Sequence, residues 1–202
     1  MLHFAIPTIT VIGYHPKDPM KVAMLKPARL KHEGKPVLCG GKINLATQES
    51  AIDAARRKWQ EEMGGKKSTI NNISLWAVRS DLYAEKRYKK LHEITPGTQI
   101  DISAGLLNTV AYYACPDYIF IAKVIGEPAP NDNEAEECFW QDIRHLKIAP
   151  TPEESKMGGQ HDLILGVYFL QMYSESFSDA SQQFRNHTQL RRTLRKISAM
   201  ID

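Results

Sequence analysis

A mixed α/β fold follows from three features of this 202-residue chain. Short apolar or alternating runs read as strands on both sides of one helix-favouring segment, residues 49–63. A second helical pattern comes late, with Leu163, Ile164, Val167, Tyr168, Leu170 and Met172 at helical spacing. Strands mixed with two or three helices, one of them early in the sheet, define that class.

Taken in order, Thr8–Tyr14 and Lys21–Lys26 read as strands, separated by the turn His15-Pro-Lys-Asp-Pro19. Lys35–Cys39 reads as a third strand. From Glu49 to Met63 there is no Gly or Pro, and Ala, Arg, Lys, Gln and Glu dominate, so a helix is favoured. Thr47 is placed to cap it, and Gly64 and Gly65 to stop it. Ile70–Ser80 is another strand. Asp81–Leu107 carries the basic run Lys86-Arg-Tyr-Lys-Lys90 and the turn Thr95-Pro-Gly97. Thr109–Cys115 and Tyr118–Ile125 read as two strands joined across Pro116-Asp117, and Gly126–Asn133 as a Pro-rich loop. Cys138–Gln141 is a short strand. Gln160–Tyr173 is a helix packed on the sheet, and Ser178–Met200 a polar, basic one.

Composition excludes several classes. The chain is 43% hydrophobic and 24% charged with net charge +3, which is globular and argues for no partner by itself. No apolar run approaches the ~20 residues of a membrane span. The start, MLHFAIPTITVIGY, lacks a basic region and a small-residue cleavage site, so no secretory signal is expected. Cys39, Cys115 and Cys138 are isolated and odd in number, with no CxxC, which argues against zinc or disulfides. Buried, reduced thiols in a cytoplasmic compartment are the simplest reading. The length fits one domain, residues 1–175, with an added basic amphipathic helix at 176–202.

The chemistry concentrates in residues 40–65, GGKINLATQESAIDAARRKWQEEMGG. Positions three and four apart on a helix share a face, so Lys58, Glu61 and Glu62 cluster. Adjacent carboxylates repel, and either a basic side chain or a hard divalent ion relieves that repulsion. The segment resembles the signature of the Nudix hydrolases, G-x5-E-x7-R-E-U-x-E-E-x-G-U. Glu49, Arg57, Trp59, Glu61, Glu62 and Gly64 match it. Three positions depart: Lys58 replaces a glutamate, Gly65 replaces an apolar residue, and seven residues rather than five separate Gly41 from Glu49. Lys35-Pro-Val-Leu-Cys-Gly-Gly before the box, and Glu134-Ala-Glu-Glu-Cys-Phe-Trp-Gln-Asp142 after it, resemble the family's flanking elements.

The resemblance implies an α/β/α sandwich with a mixed sheet, here with an extra C-terminal helix. It implies Mg2+ or Mn2+ as cofactor and a small-molecule nucleotide substrate, and homodimers are common in the family. Glu61 and Glu62 would be catalytic and metal-binding, with Glu134 as a further ligand and Glu137 as a candidate base. Glu49 would lie nearby, and Arg57 would orient the carboxylates. Gly40 and Gly41 would admit the substrate to the backbone. Arg29, Lys58 and Tyr83 are candidate substrate contacts. For Arg29 the alternative is a surface charge, and for Glu134, Glu136 and Glu137 a solvated loop.

Lys58 admits three readings. Two unit charges ~4 Å apart interact by about 4 kcal/mol at an effective dielectric near 20, enough to remove or weaken a metal site. In the first reading Glu61 and Glu62 still hold one metal, helped by Glu134, Glu136 or Glu137. In the second Lys58 binds phosphate as a fixed cation. In the third it forms a surface salt bridge with Glu62, a weak contact.

The expected function is a divalent-metal-dependent pyrophosphohydrolase. It would cleave a nucleoside diphosphate linked to another moiety, such as ADP-ribose, a nucleotide sugar or a dinucleotide. The alternative is a catalytically impaired nucleotide-binding sensor that signals through the C-terminal helix. In that helix Arg191, Arg192, Arg195 and Lys196 accompany an apolar stripe of Leu190, Leu194, Ile197 and Ile201. The helix is too short for a winged-helix domain, which argues against nucleic acid as the partner. His161-Asp162 opens the preceding helix, where the dipole alone favours an Asp.

Overall fold

The computed structural model describes residues 7–28, 34–64, 67–81, 115–131, 134–173 and 187–201. Within them lie six strands: β1 (Thr8–His15), β2 (Asp18–Pro27), β3 (Cys39–Lys42), β4 (Ser68–Asp81), β5 (Cys115–Gly126) and β6 (Ala135–Asp142). The helices are α1 (Ala51–Trp59), α2 (His161–Tyr173) and α3 (His187–Ile201). The strands make one mixed sheet in the order β4-β5-β1-β2-β6. β1 and β5 run parallel, and β3 pairs antiparallel with the first half of β1.

Strand alternation sorts the core into two layers. Ile9 and Val11 of β1, Ala23 and Leu25 of β2, and Phe120, Ala122 and Val124 of β5 face α1, whose Ala54, Ala55 and Trp59 are buried against them. On the opposite face Ile12, Met24 and Ile119 meet Leu163, Ile164 and Val167 of α2, with Leu190 and Leu194 of α3 in the same cluster. The result is the α/β/α sandwich that the resemblance implied. No helix among the described residues is long and apolar enough to cross a membrane.

α2 is buried on nearly every side because the sheet covers one flank and α3 another. Arg191 of α3 enters this core at 4% exposure and meets Asp162, itself 1% exposed. Nη1 of Arg191 donates to the Asp162 carboxylate at 2.6 Å and to the Ala149 carbonyl at 2.9 Å. Asp162 therefore does more than sit at a favourable helix end: it neutralises a buried guanidinium.

Several local expectations are corrected. The strand expected at Lys35–Cys39 lies instead at Cys39–Lys42, with Val37 making only an isolated bridge to Leu25. Ser50, not Thr47, caps α1: its Oγ accepts from the Asp53 N–H at 3.1 Å. Thr47 ends a short 3-10 turn, Leu45–Thr47, that absorbs the long loop before the helix. Pro116 and Asp117 are not a corner but part of β5. Asp117 is buried there and accepts from Thr8 and Thr10 and from Nη2 of Arg79, at 3.1 Å from the last. Asp81 ends β4, but residues 82–107 and the expected strand residues before Cys115 lie outside the described residues, as do 178–186 of the basic segment.

Removing one partner of a buried ion pair strands the other. Asp162→Ala is therefore expected to cost about 3–5 kcal/mol, and the double change Asp162→Leu with Arg191→Met to recover most of it. Urea unfolding midpoints check both. A loss under about 1 kcal/mol would mean that the pair is solvated.

Candidate functional site

α1 does not end as an ordinary helix. After Trp59 the backbone widens into a π turn, Gln60–Gly64. Such turns insert one residue and re-aim the side chains they carry. Its carbonyls are taken up by neighbours, which lets the widened turn persist. The Asn131 side chain donates to the Gln60 carbonyl at 2.8 Å and the Ala129 N–H to that of Met63 at 3.0 Å. The Cys138 thiol lies 3.6 Å from the Glu62 carbonyl. Inside, the Trp59 indole N–H donates to Ser68 Oγ at 3.2 Å.

Glu62 leaves this turn toward β3, and Lys58 ties Glu61 to it. Glu62 is mostly buried, and its Oε2 accepts from the Gly40 N–H at 3.0 Å. Gly40 is required here: a Cβ would stand 2.4 Å from the Ile9 carbonyl oxygen. Burial pushes the Glu62 carboxyl above its ordinary value, and the Glu134 charge adds to that; the Gly40 N–H and Lys58 oppose them. Glu134 is thus near enough to share its field with Glu62.

Arg57 grips two carboxylates at once. Its Nε and Nη2 donate to Glu49 at 2.7 and 2.9 Å, and Nη1 to Glu61 at 3.0 Å. Nη2 also reaches the Lys42 carbonyl at 3.1 Å. This bidentate fork is what arginine geometry allows and lysine cannot supply. Glu49 additionally accepts the Asn44 N–H at 2.9 Å, so both of its oxygens are engaged. The Arg57 hydrogen bonds hold the Glu49 carboxyl down at about 2.

Lys58 lies across the pair. Nζ is 2.7 Å from Oε2 of Glu61 and 3.9 Å from Oε1 of Glu62. The expected surface bridge to Glu62 is thus mainly a half-buried bridge to Glu61. The bare Cα of Gly41 makes room for it, since a Cβ would meet Lys58 Cε at 2.7 Å. Partial burial works against the ammonium, but Glu61 and Glu62 outweigh it and raise its pKa. For Glu61, burial pushes upward while Lys58 and Arg57 prevail and hold the carboxyl below its ordinary value.

The site therefore brings together Gly40, Gly41, Arg57, Lys58, Glu61 and Glu62, with Glu134 at its edge. Glu136 pairs with Lys26 at 3.0 Å, and Glu137 lies exposed on β6. Arg29 and Tyr83 lie outside the described residues. Cys39 is fully buried, its thiol pushed well above the ordinary value by desolvation, and Cys138 is raised to about 12 for the same reason. Neither is a nucleophile at neutral pH. Sequence reasoning misses the role of the Gly40 N–H as a partner of Glu62, because a glycine advertises room and not a hydrogen bond.

Among the described residues no group of three or more His, Cys, Asp or Glu side chains forms a ready metal cage. The donor set still fits a magnesium-like ion, which takes one or two carboxylates and completes its shell with water and substrate phosphate. Glu61 and Glu62 are such a pair, all oxygen, one of them buried and so poorly hydrated.

The Glu49–Arg57 clamp makes a pH prediction. A carboxyl lowered in the folded state stabilises it above the unfolded value near 4.3, and that contribution is lost as pH falls through about 2. Carboxyl carbon shifts followed by NMR should titrate Glu49 near 2 in the wild type and close to about 4.3 in Arg57→Leu. An unchanged midpoint would show that Arg57 does not hold Glu49 in solution.

Comparison with known proteins places this geometry. A model of the NUDIX domain matches residues 7–158. A comparison with curated proteins finds no match. Among solved structures, the NUDIX domain of Shewanella oneidensis NrtR complexed with ADP ribose is similar at TM-score 0.58 and 11% identity, over 85% of this chain and 90% of that one. A MutT/nudix family protein from Enterococcus faecalis is similar at TM-score 0.53 and 15% identity, over 82% and 61%. A MutT protein from Methanosarcina mazei Go1 is similar at TM-score 0.51 and 12% identity, over 86% and 99%. At these identities the likeness is one of fold. The family model spans β1 to β6 with the whole box, and the chain belongs to the NUDIX family of hydrolases acting on phosphoric anhydride bonds.

Proposed function

We propose that this protein hydrolyses a nucleoside diphosphate linked to another moiety, such as ADP-ribose, a nucleotide sugar or a dinucleotide, with Mg2+ or Mn2+ held by Glu61 and Glu62. The observation that carries this reading is the pairing of the two carboxylates through Lys58, with Glu62 held on the Gly40 N–H of the glycine strand. The fold likeness to a NUDIX domain complexed with ADP ribose supports a linked diphosphate.

When bound, the ion would neutralise charge on the diphosphate oxygens and make water a stronger acid. The chain's own residues do the rest. Arg57 fixes Glu61 and Glu49 in one rigid frame, so that the carboxylates are positioned before substrate arrives. Gly40 and Gly41 leave the β3 backbone open to a phosphate. Lys58 moves from Glu61 to the substrate, exchanging one anion for another. Glu134, whose charge Glu62 senses, would complete the acidic edge. The free thiols Cys39 and Cys138 support a reducing, cytoplasmic setting.

A panel of nucleoside diphosphate derivatives, assayed for nucleotide release with Mg2+, Mn2+ or chelator, tests the proposal. Turnover is expected with metal only, and Glu62→Gln should lower kcat by about a hundredfold or more, on the scale of a lost charge-stabilising group. Ligand-induced thermal stabilisation without release from any member of the panel would favour the sensor reading. Lys58→Glu should tighten Mn2+ binding by about tenfold, equivalent to about 1.4 kcal/mol. Equal affinity in wild type and variant would put Lys58 outside the metal site.

A further inference from the structure

The buried His161 ring is not used by any step above, yet it touches the residue that leads into the strand holding Glu62. Between Val37 and Cys39 the chain changes partners. Val37 exchanges hydrogen bonds with Leu25 of β2 at 2.8 and 2.9 Å, whereas Cys39 is already paired with Val11 of β1. Leu38 lies at the switch, 2% exposed, and its N–H is met by a side chain: Nδ1 of His161 accepts it at 2.8 Å. A buried N–H left unmet is costly. The same segment is tied twice more to the region before α2. The Gly158 N–H donates to the Pro36 carbonyl at 3.0 Å, and Lys35 Nζ to the Glu153 carbonyl at 3.1 Å. Two residues beyond Leu38 comes Gly40, whose N–H holds Glu62. On the other side, His161 is followed by Asp162, which the buried Arg191 locks to α3.

We propose that His161 is a positioning residue for Glu62: its Nδ1 anchors Leu38, which sets β3 so that the Gly40 N–H meets the carboxylate. The metal readout of this proposal rests on the hydrolase reading; the backbone readout does not. His161 acts through β3 and touches neither metal nor substrate. α3, although remote from the site, backs the anchor through Asp162.

Two variants separate positioning from simple stability. His161→Phe keeps a ring and removes the acceptor, whereas His161→Asn places Oδ1 as many bonds from Cα as Nδ1 was. Leu163→Ala serves as a control that weakens the same helix and leaves the His161 acceptor in place. Amide hydrogen exchange at Gly40 and Mn2+ affinity by calorimetry are the readouts. His161→Phe should speed Gly40 exchange and weaken Mn2+ binding by about fivefold each, the size of one net hydrogen bond. His161→Asn should restore both, and Leu163→Ala should lower Tm while leaving both near wild type. Unchanged Gly40 exchange in His161→Phe, or an equal change in Leu163→Ala, overturns the proposal. If the wild type binds no Mn2+, the metal assignment falls, and Gly40 exchange alone decides on His161. If His161→Phe does not fold, the nitrogen–nitrogen coupling across the Leu38–His161 hydrogen bond in the wild type decides, and its absence refutes the anchor.

Discussion

β3 is wedged against β1 so tightly that Gly40 has no space for a side chain: the Ile9 carbonyl oxygen would stand 2.4 Å from any Cβ there. The site follows from that contact. With no side chain in the way, the Gly40 N–H comes within 3.0 Å of Glu62, and the next residue, Gly41, leaves the gap that Lys58 fills. A larger residue at Gly40 would lift the strand off β1 and lose the donor that opposes the cost of burying a carboxylate. The π turn is the matching half of the arrangement. It turns Glu62 toward β3 while its own carbonyls are held by Asn131, Ala129 and Ser68. Backbone geometry on both sides, more than any one side chain, therefore fixes where the charges stand.

The charges nearly balance by themselves. Glu49, Glu61 and Glu62 face Arg57 and Lys58, and Arg57 alone takes up Glu49 and part of Glu61. In the family pattern a glutamate occupies the Lys58 position, and such a site would be strongly negative until metal arrived. Here an internal ammonium relieves the repulsion in advance. Under the proposed metal binding, an incoming divalent ion would gain less, because it would displace a cation already 2.7 Å from Glu61. On that reading the chain gives up metal affinity for a site whose charges are already paired. The displaced ammonium remains on a flexible stem next to the same carboxylates, which is where a second anion, the substrate phosphate, would also come.

How much of this was legible depended on the range of the interaction. The absence of Gly and Pro from Glu49 to Met63 was enough to place the helix, and the i, i+3 and i+4 spacing was enough to bring Lys58, Glu61 and Glu62 together. The π turn had no local signature, since its extra residue is stabilised by Asn131 and Ala129 from a distant loop. Ser50 could have been chosen over Thr47, because Asp53 three residues later completes the capping pattern. β3 was misplaced by three or four residues because glycines are poor strand formers in isolation and good ones only where backbones must approach. Asp117 followed a proline and so looked like a turn. Its partners, Thr8, Thr10 and Arg79, lie 38 to 109 residues away, beyond any local pattern.

The C-terminal helix shows what an amphipathic stripe does when its own domain receives it. Leu190 and Leu194 dock it there, and Arg192 and Arg195 are exposed. Arg191 is not, and the reason lies in α2. A helix apolar on all sides needs cover on the flank turned away from the sheet, and α3 supplies Leu190 and Leu194 there, close over Gly166, where an added Cβ would meet Leu194 Cδ1 at 3.0 Å. Seating those leucines carries Arg191 into the core, where a carboxylate at the start of α2 neutralises it. That carboxylate is Asp162, the neighbour of the histidine that anchors Leu38. The packing that closes one face of the sandwich therefore also braces the strand that holds Glu62 on the other.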